Sequence, residues 1–235
     1  MKLILPIIIV FIFISKVNAT NNNRDRIGEV LGQPVYRDQI SAKEGFKLYS
    51  ELQTLFARPV LKKYYEKHRT ELEPTEQEIS QFVAYYAKKH EAEMKNKKSA
   101  LKEKLAVLNT KLENKKLSSE ERQDLEIERD IINMDLKPPG RDFAMFVIPQ
   151  WKLQFHFYKQ YGGGRLLWQQ RGVEAFDAMY NWLTQQEKSG LFKITDPKMR
   201  EAFYSYWTSM DHGSFFINDK ARIENEFLTP EWKSK

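Results

Sequence analysis

Two tetrads constrain this chain most, because they say where helices begin. Thr75-Glu-Gln-Glu78 and Ser118-Ser-Glu-Glu121 each set a hydroxyl residue three positions before a glutamate. At that spacing the two side chains satisfy each other's free backbone N–H groups, so each tetrad opens a helix. Apolar spacing extends the reading. From Ile40 to Leu72, Phe46, Leu48, Leu52, Leu55, Phe56, Val60, Leu61 and Tyr64 recur at helical intervals, with Gly45 and Pro59 expected to break or kink the run. After Thr75, Leu101, Leu105, Leu108 and Leu112 step by four, three and four, and after Ser118 the residues Ile127, Ile131 and Met134 resume that stepping. Two such seams joined by a tight turn describe a charged, coiled-coil-like helical hairpin over 91–137; ordinary core helices are the alternative.

Pro138-Pro139-Gly140 ends that hairpin, and the composition then turns aromatic. "DFAMFVIPQWKLQFHFYKQY" reads as a buried helix kinked at Pro149 and stopped by Gly162 to Gly164. Val173, Phe176, Met179, Tyr180 and Leu183 make the next helical face, with Gly190 as its C-cap. Asp196 caps a further helix with Pro197 at its first position, and Thr229-Pro230 repeats the device. The chain is therefore expected to be mainly α.

The exception is "RIGEVLGQPVYRDQI", Arg26 to Ile40, which reads as a β-hairpin turning at Leu31-Gly32, followed by a helix capped by Asp38. Pro34 lacks an N–H, so its strand belongs at a sheet edge or begins after it. A two-stranded hairpin alone is marginal in water. Leu166 to Gln169 is the other short strand expected, and pairing it with Ile27–Leu31 or Val35–Tyr36 would form a small sheet joining the N- and C-terminal parts. The hairpin arm then projects from one domain as an insertion.

Lys2, the apolar run Leu3 to Ile14, and Val17 and Ala19 before a cut have the form of a secretory signal peptide spanning 1–19. The run is shorter than the roughly 20 residues of a spanning helix, so no membrane span is expected after cleavage. Residues 20–25, "TNNNRD", read as a disordered leader. Of the 38 basic residues, Lys2 and Lys16 leave with the signal, so 36 face 32 acidic ones, a net charge of +4 spread along helical faces. That distribution and export speak against a nucleic-acid partner. With Cys 0, disulfides and thiolate chemistry are excluded. The expected compartment is the periplasm, or the exterior.

Val30, Gly32, Pro34 and Val35, then Pro74, Thr75, Glu76, Glu78 and Ile79, carry a resemblance. Over residues 26–90 the chain resembles the N-terminal region of SurA-type periplasmic chaperones and peptidyl-prolyl isomerases, with its valine-rich hairpin of form V-x-G-x-P-[IV] and its Pro-Thr-Glu-x-Glu-[IL] helix start. The resemblance implies a chaperone-like helical domain, made of 26–90 and 138–235, that cradles extended exported polypeptides. In the isomerases a parvulin domain follows; here the charged hairpin occupies that interval, so isomerase activity is not carried over.

His68, His90, His156 and His212 lack paired spacing, so no metal site or cofactor is expected. No nucleophile-and-base combination is visible, and no catalytic residue is assigned. Glu174 and Asp177, one helical turn apart, fit either an acid/base pair or a solvated helix face. "YGGGR" fits an anion cradle completed by Arg165, or a simple turn. Trp151, Phe155, Phe157, Tyr158, Tyr161, Trp168, Phe203, Tyr204, Tyr206 and Trp207 cannot all point one way. Those on one face fill the core; others line a groove for apolar side chains. The client-binding set expected is Trp151, Phe155, Tyr158, Tyr161, Arg165, Trp168, Gln169 and Gln170, the two glutamines bonding an added peptide backbone at an open sheet edge.

The functional expectation is an exported, non-catalytic, chaperone-like protein holding unfolded or partner polypeptides. One alternative is an adaptor docking a specific envelope or secretion partner through residues 95–136. The other is a peptidyl-prolyl isomerase with a degenerate or absent catalytic domain.

Overall fold

The computed structural model describes residues 24–169, 172–209 and 215–233. The expected signal peptide, most of the leader, Gln170 and His212 lie outside them. Arg24 and Asp25, expected in the leader, are held: Arg24 forms two hydrogen bonds to the Asp38 carboxylate, and the Asp25 carbonyl accepts from the Arg37 N–H at 2.8 Å.

Among the described residues the protein is mainly helical with two small antiparallel three-stranded sheets. Strands β1 (Arg26–Val30) and β2 (Gln33–Tyr36) form the expected hairpin. Leu31 and Gly32 both take positive φ, 50° and 77°, as a two-residue turn matching the strand twist requires. Pro34 lies in β2, an edge strand. Asp38 caps no helix; its carboxylate is engaged by Arg24, and Arg37–Gln39 is a single 3-10 turn.

Helix α1 (Gly45–Leu52) then runs through a π turn, Gln53–Ala57, into α2 (Arg58–Lys67). Pro59 has no N–H to return to the preceding turn. The chain widens just ahead of it, with the Arg58 N–H bonding Gln53 O. The short α3 (Arg69–Leu72) follows, then α4 (Glu76–Met94), α5 (Lys98–Leu112) and α6 (Ser119–Asp135). Both capping boxes form as expected, Glu78 N–H to Thr75 Oγ at 3.2 Å and Glu121 N–H to Ser118 Oγ at 3.2 Å. Helix α7 (Arg141–Gln160) continues through Pro149.

Beyond the glycines, β3 (Leu166–Gln169) is a strand, as expected, but β4 (Gly172–Glu174) replaces the helical start expected around Val173. Next come α8 (Phe176–Lys188), β5 (Phe192–Ile194), α9 (Pro197–Thr208), β6 (Phe216–Ile217) and a short α10 (Lys220–Arg222). Gly190 closes α8: its N–H bonds Glu187 O, and the Leu191 N–H reaches Gln186 O. Asp196 caps α9 through the Met199 N–H at 3.0 Å. Thr229-Pro230 leads into a single 3-10 turn, Glu231–Lys233, rather than a longer helix, and the Thr229 hydroxyl donates to Glu224 O instead of capping it.

The hairpin's partner is not β3. It is β5: Gly28 faces Ile194 and Val30 faces Phe192, giving the order β2-β1-β5. Strand β3 instead lies between β4 and β6. Backbone pairing still joins the two parts of the chain, through a different strand. The seam is tight, since a Cβ on Gly28 would stand 2.3 Å from Lys193 O and 2.9 Å from the Phe56 ring. Around it one core gathers Ile27, Leu52 and Phe56 with Phe157, Phe176, Trp182, Phe192 and Phe203, all essentially inaccessible. Each such side chain is worth about 1.5–3 kcal/mol by burial. A smaller cluster of Ile79, Phe82, Ala144, Ile148 and Trp232 joins α4, α7 and the C-terminal segment.

In the arm, α5 faces inward with Leu101, Leu105, Leu108 and Leu112, as expected. The α6 side differs. Ile132 is buried, with Leu125 and Leu136 half-buried beside it, while Ile127, Ile131 and Met134 are 51%, 49% and 67% exposed. Arg122 closes the turn by donating to Leu112 O and Asn114 O, both at 3.1 Å. Among the described residues, no helix is long and apolar enough to cross a membrane.

Candidate functional site

Helix α7 carries apolar residues on more than one face. Leu153 and Phe157 point into the main core, and Ala144 and Ile148 into the smaller cluster. Phe143, Met145 and Phe146 remain 47%, 43% and 65% exposed. Beside this face opens a hollow of about 540 Å³. Phe82, Tyr85 and Tyr86 of α4 form one wall; Phe146, Val147 and Trp151 of α7 form another; Trp168 of β3, Val173 of β4, Phe227 and Trp232 close it. The aromatic walls are fixed from behind. The Trp151 indole N–H donates to Phe227 O at 2.9 Å, and its ring meets Trp232 edge-on, centroids 5.4 Å apart. Trp232 meets Phe82 at 5.5 Å. Trp168, 38% exposed, lies under the Arg222 guanidinium at 5.9 Å.

Charge sits on the rim. Tyr85 donates its hydroxyl to Glu231, and that carboxylate pushes the phenol pKa up to about 12. Glu78 anchors the wall, taking Lys152 Nζ at 2.7 Å and Lys233 Nζ at 3.3 Å. Burial alone would raise the Glu78 pKa; Lys152, the Thr75 N–H and Lys233 outweigh it and hold the carboxyl below its ordinary range. Lys89, Gln150, Asn225, Glu226 and Glu231 add polar groups to the lining, and the aromatic walls between them suit apolar side chains.

Of the eight expected site residues, the structure brings Trp151 and Trp168 to this hollow. Phe155 packs on Trp151 and Phe227, outside the residues that line it. Tyr158 packs on Phe227 and Gly163, and Tyr161 on Phe157. Arg165 pairs with Asp177, Nη2 to Oδ1 at 2.8 Å. The glutamine expectation needed an open edge, whereas β3 is the central strand of its sheet. The residues missed are Phe82, Tyr85, Tyr86, Phe146 and Trp232. The available signal was that "DFAMFVIPQW" has too many apolar residues for one helix face.

The other chemical expectations resolve locally. Glu174 lies in β4 and accepts from the Tyr206 hydroxyl at 2.8 Å, while Asp177 faces Arg165, so the two carboxylates are no acid/base pair. The glycine turn does hold an anion, and it is Asp177: the Arg165 N–H donates to Oδ2 at 2.7 Å, and a Cβ on Gly164 would strike that side chain at 2.6 Å. Burial would raise the Asp177 pKa, but the Arg165 side chain and N–H lower it on balance. His90 Nε2 donates to Asp135 O at 2.7 Å. His68 and His156, expected to stand apart, meet with ring centroids 4.8 Å apart beside Glu71.

Compared with family models, curated proteins and solved structures, the chain matches none.

Proposed function

We propose that this is an exported, non-catalytic, chaperone-like protein, SurA-type in kind, that holds extended polypeptides by their apolar side chains. The observation that supports this reading is the aromatic hollow between α4, α7, β3 and the C-terminal segment, bordered by exposed Phe143 and Phe146. Contiguous exposed apolar surface of this kind marks interaction sites on proteins that otherwise bury their aromatic residues. Extended chains of exported proteins present such side chains at intervals, and a groove walled mainly by aromatic rings accepts them without strong sequence preference.

The test is suppression of aggregation of several unrelated unfolded proteins, together with intrinsic tryptophan fluorescence on adding aromatic-containing peptides. Trp168→Ala combined with Phe146→Ala is expected to weaken peptide binding at least about tenfold, since an aromatic anchor contributes roughly 1–2 kcal/mol or more. Equal affinity of wild type and double variant would overturn the reading.

The exposed Ile127, Ile131 and Met134 stripe on α6 supports a second reading, in which the arm docks one specific partner. Loss of a single stoichiometric partner on deleting 95–136, with no effect on peptide binding, would favour it.

A further inference from the structure

His68 caps the end of α2, Glu71 lies one turn on in α3, and His156 faces them from α7. The three side chains converge although 88 positions separate the two histidines. His68 Nδ1 stands 3.6 Å from Glu71 Oε1, and His156 Nδ1 stands 3.6 Å from Glu71 Oε2. Those separations are too long for hydrogen bonds. One carboxylate therefore sits between two imidazoles, close to both and bonded to neither. All three donor atoms lie within 4.8 Å of one another. The His156 side chain is only 10% exposed, and its Nε2 has no hydrogen-bond partner among the described residues. That nitrogen is not the one turned to Glu71, which is Nδ1, so the site rests on the convergence of the three side chains.

We propose that His68, Glu71 and His156 bind a divalent transition-metal ion, with zinc as the best match to the donor chemistry. Two imidazoles and a carboxylate are a donor set zinc takes with bonds of about 2.0–2.2 Å, which sets neighbouring donors roughly 3.3 Å apart around a tetrahedral ion. The two 3.6 Å spacings fall within a few tenths of an ångström of that figure. Closing the remaining separation asks for side-chain rotation. Glu71, 66% exposed, is free to supply it. The Tyr64 ring supports the site from inside, with centroids 4.5 Å from His68 and 5.7 Å from His156. Glu71 and His156 also help to line a hollow of about 380 Å³. A site with three protein ligands and one open position is the form that leaves room for water or an exchangeable ligand. The ion would tie the end of α2 to α7 across the insertion of the arm, independently of the aromatic groove.

The experiment uses the full chain, purified without a polyhistidine tag and stripped with chelator. Zinc binding is measured by calorimetry and thermal unfolding, and coordination by the visible absorption of the cobalt(II) form. The wild type is expected to take one zinc per chain, to show four-coordinate cobalt bands, and to gain roughly 5–10 °C in Tm at a hundredfold excess over Kd. Glu71→Gln, at an exposed position, is expected to keep the fold and lose at least about tenfold in affinity; His68→Gln should do the same. His90→Gln should bind as the wild type does. Absence of stoichiometric binding, or equal affinity in Glu71→Gln and wild type, would overturn the proposal. A folded Glu71→Gln keeps that outcome readable even if His156→Gln does not fold.

Discussion

In the main core, α1 packs on α9, and β1 pairs with β5, so that Phe56, Trp182 and Phe203 lose all or nearly all contact with water. In the arm, α5 and α6 pack on each other, fully bury little beyond Leu108 and Ile132, and leave Val107, Ile127, Ile131 and Met134 between 49% and 67% exposed. Both regions draw on the same helical spacing of apolar residues. They differ in how many neighbours each helix has. A helix with elements on several sides has every apolar stripe covered, whereas a helix with one partner can cover only one. The arm compensates with caps and surface ion pairs such as Lys104 to Glu128 at 2.7 Å, which at that exposure add little.

The contrast breaks most severely at Gly28. Replacing it with Ala sets a methyl group against Lys193 O and the Phe56 ring, so the β1–β5 seam must shift or open. A loss of more than about 3 kcal/mol is expected, read as a lower denaturant midpoint. A substitution of equal size on the exposed arm surface, away from its caps, should fall within about 0.5 kcal/mol. If Gly28→Ala unfolds like the wild type, the seam is not what holds the two parts of the chain together.

A sharper comparison lies inside α6, between adjacent isoleucines. Ile132→Ala removes a buried side chain and is expected to lose about 2–4 kcal/mol of arm stability, followed by hydrogen exchange of α5 and α6. Ile131→Ala, on the uncovered stripe, should lose well under 1 kcal/mol. Equal effects would mean that the two stripes are not distinguished as described.

The smallest effect is a pH dependence at the joint between regions, where Glu78 caps α4 and holds Lys152. Its folded-state pKa is lowered, so its contribution is complete above the unfolded carboxylate value of about 4.3 and is lost as pH falls through the lower folded one. Asp177, lowered by Arg165, acts in the same sense. Unfolding free energy should decline below about pH 4, and Glu78→Gln should flatten that decline. An unchanged slope in Glu78→Gln would remove the group from this role.

What could be read in the residues follows how local each feature is. The Leu31-Gly32 turn, the two capping boxes, the stop at Gly190 and the start at Asp196 depend on atoms within five positions of one another, and all of them form. The partner of β1 was not legible. Leu166 to Gln169 and Phe192 to Ile194 are both short apolar segments, and the three residues of β5 are too few to show a period. Gly28 held the missing signal, since a glycine inside a strand often marks a close backbone approach. Along α6, Ile127-Ile131-Met134 and Leu125-Ile132-Leu136 both step at helical intervals, and only the position of α5 decides between them. The groove was half visible: Trp151 and Trp168 were found, but Phe82, Tyr85 and Tyr86 come from a helix far off in sequence.

The seam between β1 and β5 also sets an order of events. Gly28 and Ile194 are more than 160 residues apart, so a growing chain carries its first hairpin without its third strand until Phe192 to Ile194 have been made. Closing so large a loop is slow relative to forming the helices within it. During that interval the sheet edge at Gly28 to Val30 is an unfinished template, open to pairing with any other extended chain. The arrival of β5 covers that edge and ends the exposure.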